Sequence, residues 1–136
     1  MKKPPVHQQQ NVRDLCATAL VKLKASCSSL TFAVVVSDDG FDVALIGDHV
    51  QQGGRLGSMT SSMQALGDAV TREMKLGDCD HILLETKTGH IIQRRIAGLP
   101  LVLCAVFDHH ETVGRAIFAT NDCASFAAEN LRNGMA

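Results

Sequence analysis

With 13 basic and 14 acidic residues over 136 positions, the chain has a formal net charge of −1 and no basic run beyond Lys2-Lys3 and Arg94-Arg95. That leaves no basic field for nucleic acid, and with five Phe, no Trp and no Tyr there are few rings to stack on bases. No apolar stretch approaches the ~20 residues of a membrane-spanning helix, so the composition, 46% hydrophobic and 20% charged, points to one soluble domain able to bury a core.

The start, residues 1–10, pairs two lysines with Pro-Pro-Val-His-Gln-Gln-Gln and lacks the apolar segment of a secretory signal. It is expected to be a disordered tail on a cytoplasmic protein. A single domain is expected over 11–133, with 134–136 as a short C-terminal tail. Asn11 can cap a first helix, whose apolar positions Val12, Leu15, Cys16, Ala19, Leu20, Leu23 and Cys27 repeat with helical spacing to about Ser28. Thr31 to Ser37 follows as a β-branched run apolar on both faces, the mark of a central strand covered on both sides. Asp38-Asp39-Gly40 reads as a tight hairpin turn, and Phe41 to Ile46 as the returning antiparallel strand.

A loop, Gly47 to Gly54, leads into a helix expected over Arg55–Leu76, with Gly77 as its C-cap. Leu56, Met59, Met63, Leu66, Val70 and Met74 fall in one arc and are expected to sit on the domain's own core. Nearly opposite, a second stripe of small residues is expected: Ser58, Ser62, Ala65 and Ala69. Long charged side chains would be usual there, whereas small ones let another backbone come close. Gln64, Asp68, Thr71 and Lys75 form a polar flank between them.

Cys79 to Thr86 reads as a third strand, His90 to Ile96 as a fourth, and Leu101 to Phe107 as a fifth, again apolar on both faces. Thr112 can cap a last helix from Val113 to about Arg132, with Val113, Ile117, Thr120, Ala124, Ala127 and Leu131 on one face. The first and fifth strands should be central, and helices must cover both faces of such a sheet. The five cysteines are odd in number and scattered, which fits reduced thiols packed as small hydrophobes.

Catalytic chemistry finds little support. Asp108-His109-His110-Glu111 is the densest cluster, but adjacent loop residues rarely converge on one ion, and zinc sites gather ligands from separated turns. In Asp78-Cys79-Asp80-His81, strand alternation sends only Cys79 and His81 to one face. Gly47-Asp48-His49-Val50-Gln51-Gln52-Gly53-Gly54 precedes a helix start, yet lacks the Gly-Lys-Ser/Thr end of a phosphate loop. There is no Gly-x-Ser-x-Gly elbow, and Cys104 lies in the most buried-looking strand, where a thiol is inert. The chain does not read as an enzyme, and no metal, cofactor or small-molecule substrate is expected.

The order helix, strand, strand, helix, three strands, helix resembles the roadblock family, named for dynein-associated light chains. The resemblance runs from Val12 to Leu131 and is carried by Val34-Val35-Val36-Ser37-Asp38-Asp39-Gly40, the small-residue-rich second helix, Asp80 to Gly89, Leu101 to Phe107, and Val113-Gly114. The Pro/Gln-rich start and the His109-His110 pair depart from the family pattern and leave the subfamily open.

That resemblance implies an α+β, profilin-like fold: a five-stranded antiparallel sheet in the order 2-1-5-4-3, the first and last helices on one face and the second on the other. It implies a homodimer, or a heterodimer with a related protein, formed by the second helix and third strand. Ser58, Ser62, Ala65, Ala69, Ile82 and Leu84 would lie in that interface. It further implies a non-enzymatic regulator or scaffold that binds a Ras-like small GTPase through the paired helices, with Arg55, Gln64, Asp68, Thr71, Arg72 and Lys75 as outward contacts. The alternative is a structural light chain that dimerises and tethers another protein without touching a GTPase.

Overall fold

A computed structural model describes residues 3–47 and 55–135. The expected loop motif at 48–54 therefore lies outside the described residues. The elements, in chain order, are α1 (Gln10–Ser26), β1 (Leu30–Ser37), β2 (Asp42–Gly47), α2 (Arg55–Glu73), β3 (His81–Glu85), β4 (Gly89–Arg95), β5 (Leu101–Asp108) and α3 (Val113–Met135). The strands form one antiparallel sheet in the order β2-β1-β5-β4-β3, as the resemblance implies.

Alternation along β1 and β5 divides the interior into two layers. Leu30, Ala33 and Val35 of β1, with Leu101, Leu103, Ala105 and Phe107 of β5, face α1 and α3 and form the main core. From the helices, Val12, Cys16, Leu20 and Leu23 meet Ala116, Cys123, Ala127 and Leu131 there. The opposite residues, Phe32, Val34, Val36, Val102 and Cys104, form a smaller cluster beneath α2, joined by Leu56, Ile91 and Val106. Both central strands are thus buried on two sides over most of their length, which is why 32–36 and 101–107 are unbroken apolar runs.

The hairpin turn is as the sequence predicts. Gly40 has φ +91°, and the Ser37 N–H donates to the Phe41 carbonyl at 2.8 Å. The same turn receives the start of α2. A Cβ on Gly57 would stand 2.7 Å from the Gly40 carbonyl oxygen, and one on Gly40 3.2 Å from the Ser58 Cα, so only glycines allow this approach.

Three local expectations are corrected. The start is not wholly without structure: Val6–Gln8 make a 3-10 turn, and the His7 ring stacks on Phe41 at 4.3 Å. The first helix begins one residue before Asn11, with Gln9 at the N-cap and no side-chain cap bond. The second helix ends at Glu73, ahead of Gly77. Lys75, at φ +61°, takes the left-handed C′ position, and the Leu76 and Lys75 N–H groups donate to the Thr71 and Arg72 carbonyls at 2.8 and 2.9 Å. That pair of bonds is a Schellman cap built on a lysine.

Candidate interaction surface

The orientation of α2 reverses the sequence expectation. Its buried residues are Gly57, Thr60, Gln64 and Asp68, while Met59, Leu66, Val70 and Met74 are more than half exposed. Met63 is half-buried, and Ser58, Ser62, Ala65 and Ala69 are exposed as well. At 100° per residue the apolar and small stripes centre only about 110° apart, so a helix resting on a third face turns both of them outward.

The polar face goes inward because the sheet beneath it offers polar partners. Gln93 and Arg95 of β4 point toward α2. Gln93 Nε2 donates to the Thr60 carbonyl at 3.1 Å and to Gln64 Oε1 at 3.2 Å. Gln64 Nε2 reaches the Cys79 carbonyl at 3.3 Å and Asp68 Oδ1 at 3.4 Å. Asp68 accepts the Cys79 N–H at 2.9 Å and Arg95 Nη2 at 3.3 Å, and Arg95 Nη1 continues to Asp38 at 2.7 Å. Burial pushes the Asp68 carboxyl pKa up, but the Cys79 N–H and the Arg95 charge outweigh it and hold it below the usual carboxylate range. One chain of bonds therefore ties the hairpin turn, β4, α2 and the approach to β3 together.

This corrects the proposed role of two residues. Gln64 is 1% and Asp68 6% exposed, so neither belongs to an outward flank. Thr71 is half-buried and donates to the Asp68 carbonyl. Arg55, Arg72 and Lys75 are exposed, and Arg72 is held by Asp78 at 2.7 Å.

The exposed stripe adjoins the open edge of the sheet. A Cβ on Gly67 would meet Ile82 Cδ1 at 3.0 Å and Cys79 Sγ at 3.3 Å, which sets that flank of α2 over β3. β3 pairs with β4 on one side only, and Ile82 and Leu84 stand on the α2 side of it, half-buried and 39% exposed respectively. Met59, Leu66, Val70, Met74, Leu76 and Leu84 together make an apolar surface bounded by the open edge of β3.

Elsewhere the candidate groups do not converge. His110 bonds back to Asp108 through its N–H at 2.8 Å and its Nδ1 at 3.2 Å, while the His90 Nε2–H donates to the Glu111 carbonyl at 2.9 Å. No group of three or more His, Cys, Asp or Glu side chains among the described residues is placed to hold a metal ion. The thiols are all free; burial pushes Cys16 and Cys123 up to about 12 and Cys104 to about 11, so they are weak nucleophiles at neutral pH. No described helix is long and apolar enough to cross a membrane.

Neither a protein-family model nor a curated protein matches the sequence. Solved structures do match the fold. MglB of Myxococcus xanthus superposes with a TM-score of 0.76 at 11% identity, covering 93% of this chain and 98% of that one. An MglB structure described as having a tetrameric arrangement gives 0.78 at 14% identity, covering 94% and 96%. A Roadblock/LC7 domain from Streptomyces avermitilis gives 0.74 at 15% identity, covering 88% and 98%. At such identities the likeness establishes the architecture and no more: the chain has a roadblock-type fold.

Proposed function

We propose that this protein is a non-enzymatic dimeric regulator or scaffold that binds a Ras-like small GTPase through paired α2 helices. The observation that carries the reading is the apolar stripe of α2, exposed beside the unpaired edge of β3. Pairing β3 with its copy would extend the sheet across the dimer and cover Ile82 and Leu84. The α2 helices would then lie side by side, with Ser58, Ser62, Ala65 and Ala69 allowing close approach and Leu66 and Val70 buried. The structural likeness to MglB and Roadblock/LC7 domains supports an assembly of this kind.

Arg55 and Lys75, at the two ends of the helix region, would remain open to a GTPase. Arg72 is engaged with Asp78, which leaves Arg55 as the one arginine of the helix open to reach outward. On this reading the protein supplies no catalytic group, and any stimulation of hydrolysis arises by shifting the GTPase's own switch segments. Light scattering should give a dimer for the wild type at tens of micromolar. Leu66→Glu, which places a charge in the apolar stripe, should give a monomer. A wild-type monomer would sink the dimer reading. Binding and single-turnover hydrolysis with a Ras-like GTPase encoded beside this gene, using wild type, Arg55→Ala and Arg72→Ala, tests the partner. A dimer that binds neither nucleotide state would favour the structural light chain.

A further inference from the structure

We propose that the cavity between α3 and the end of β4 is a binding site for a small anion carrying a phosphoryl or carboxylate group. It lies on the α1/α3 side, across the sheet from α2, and does not rest on the function proposed above. The cavity measures about 270 Å³, and Arg94, Asn121, Ser125, Glu129 and Arg132 supply its polar lining. Asn121, Ser125 and Arg132 recur along one face of α3 at the helical period. The neighbouring Ala124 and Ala128 are buried and small, which leaves the volume open.

Arg94 enters from β4 on the face that carries the buried Ile92. It is half-buried, and beyond its backbone pairing in the sheet its guanidinium makes no hydrogen bond or ion pair with any described residue. Arg72, Arg95 and Arg115 each have a carboxylate within 4 Å by contrast. Arg132 gives only its Nε, to the Ala128 carbonyl at 3.2 Å, leaving the outer edge of its fork unused. Glu129 stands exposed at the rim and pairs with neither arginine.

A partly desolvated guanidinium without a counter-charge is unfavourable, and an incoming anion would relieve it. Two guanidinium forks suit a group with two or more oxygens in a plane or tetrahedron. The Asn121 amide and the Ser125 hydroxyl add neutral donors. The volume falls below that of a drug-sized ligand pocket, so the fitting ligand is a small anion.

Titration calorimetry at fixed ionic strength tests this, with inorganic phosphate and pyrophosphate in one arm, succinate and citrate in the other, and chloride as the screening control. Saturable binding is expected in at least one arm, and the arm that binds more tightly identifies the group. Arg94→Gln and Arg132→Gln should each weaken it by about tenfold or more, Arg94→Lys should restore it only in part, and Glu129→Gln should tighten it. Thermal melts by circular dichroism verify that each variant is folded. Absence of saturable binding in both arms, or affinities unchanged in both Arg→Gln variants, would overturn the site.

Discussion

The two faces of the sheet are built on different chemistry. On the α1/α3 side the buried core is apolar, from Val12 and Leu20 across Leu103 and Phe107 to Leu131, apart from the polar-lined cavity between α3 and β4. On the α2 side a five-residue apolar cluster gives way to Gln93, Gln64, Asp68 and Arg95, each bonded to the next. Apolar burial is non-directional and supplies most of the folding free energy. Hydrogen bonds add less but demand particular geometry. One face therefore holds the molecule together, and the other fixes the position and rotation of a helix whose apolar residues are turned to the outside.

The largest break in that comparison should come from the apolar side. Phe107 is 1% exposed, and Phe107→Ala should cost about 3–5 kcal/mol by lost burial and the cavity left behind. Urea unfolding at neutral pH measures it. A loss below about 1 kcal/mol would mean that this core is not where the stability resides.

On the polar side Asp68→Asn should cost less, about 1–3 kcal/mol, because it removes the charge shared by Arg95 and the Cys79 N–H. Since the folded Asp68 pKa is depressed, its contribution is fully present above the unfolded carboxylate value of about 3.9. It is lost as pH falls through the lower folded value. The gap between wild type and Asp68→Asn should be constant from pH 7 to about 5 and narrow below about 4. A gap that widened with acid would show the wrong sign for the network.

The smallest change sharpens the comparison by improving the end of α2 alone. Lys75→Gly relieves a left-handed residue that caps the helix through the bonds at Leu76 and Lys75, and should stabilise by about 0.5–1 kcal/mol. A melting curve is sufficient, and destabilisation would mean that the Lys75 side chain contributes something its backbone geometry does not reveal.

The contrast also explains which parts were legible in the sequence. β1 and β5 declare their central places because strands buried on both faces must be apolar at every position. The apolar face of α3, Thr120 to Leu131, is likewise visible because it meets an apolar sheet. For α2 the same reading fails. Hydrophobic periodicity locates a stripe but does not say which surface it covers, and the Met59–Met74 stripe reads as inward only if the layer beneath the helix is apolar. Gln93 and Arg95 carried the missing signal: polar residues two apart in a strand flanked by buried neighbours need a polar partner across the layer. The Arg94–Arg132 cavity left no such trace, because its members come from distant segments and are ordinary surface residues when taken singly.

The outward face of α2 has a chemical consequence apart from packing. Of the chain's five methionines, Met59, Met63 and Met74 stand in or just past this helix, with Met59 and Met74 54% and 67% exposed. A thioether in water is open to peroxide, and the sulfoxide it forms is polar and chiral. Any partner seated on the stripe would shield those sulfurs, and oxidation beforehand would make the same surface a poor seat. The rate at which these three methionines gain oxygen is thus a footprint of whatever covers α2, readable by mass alone in a protein without tryptophan or tyrosine.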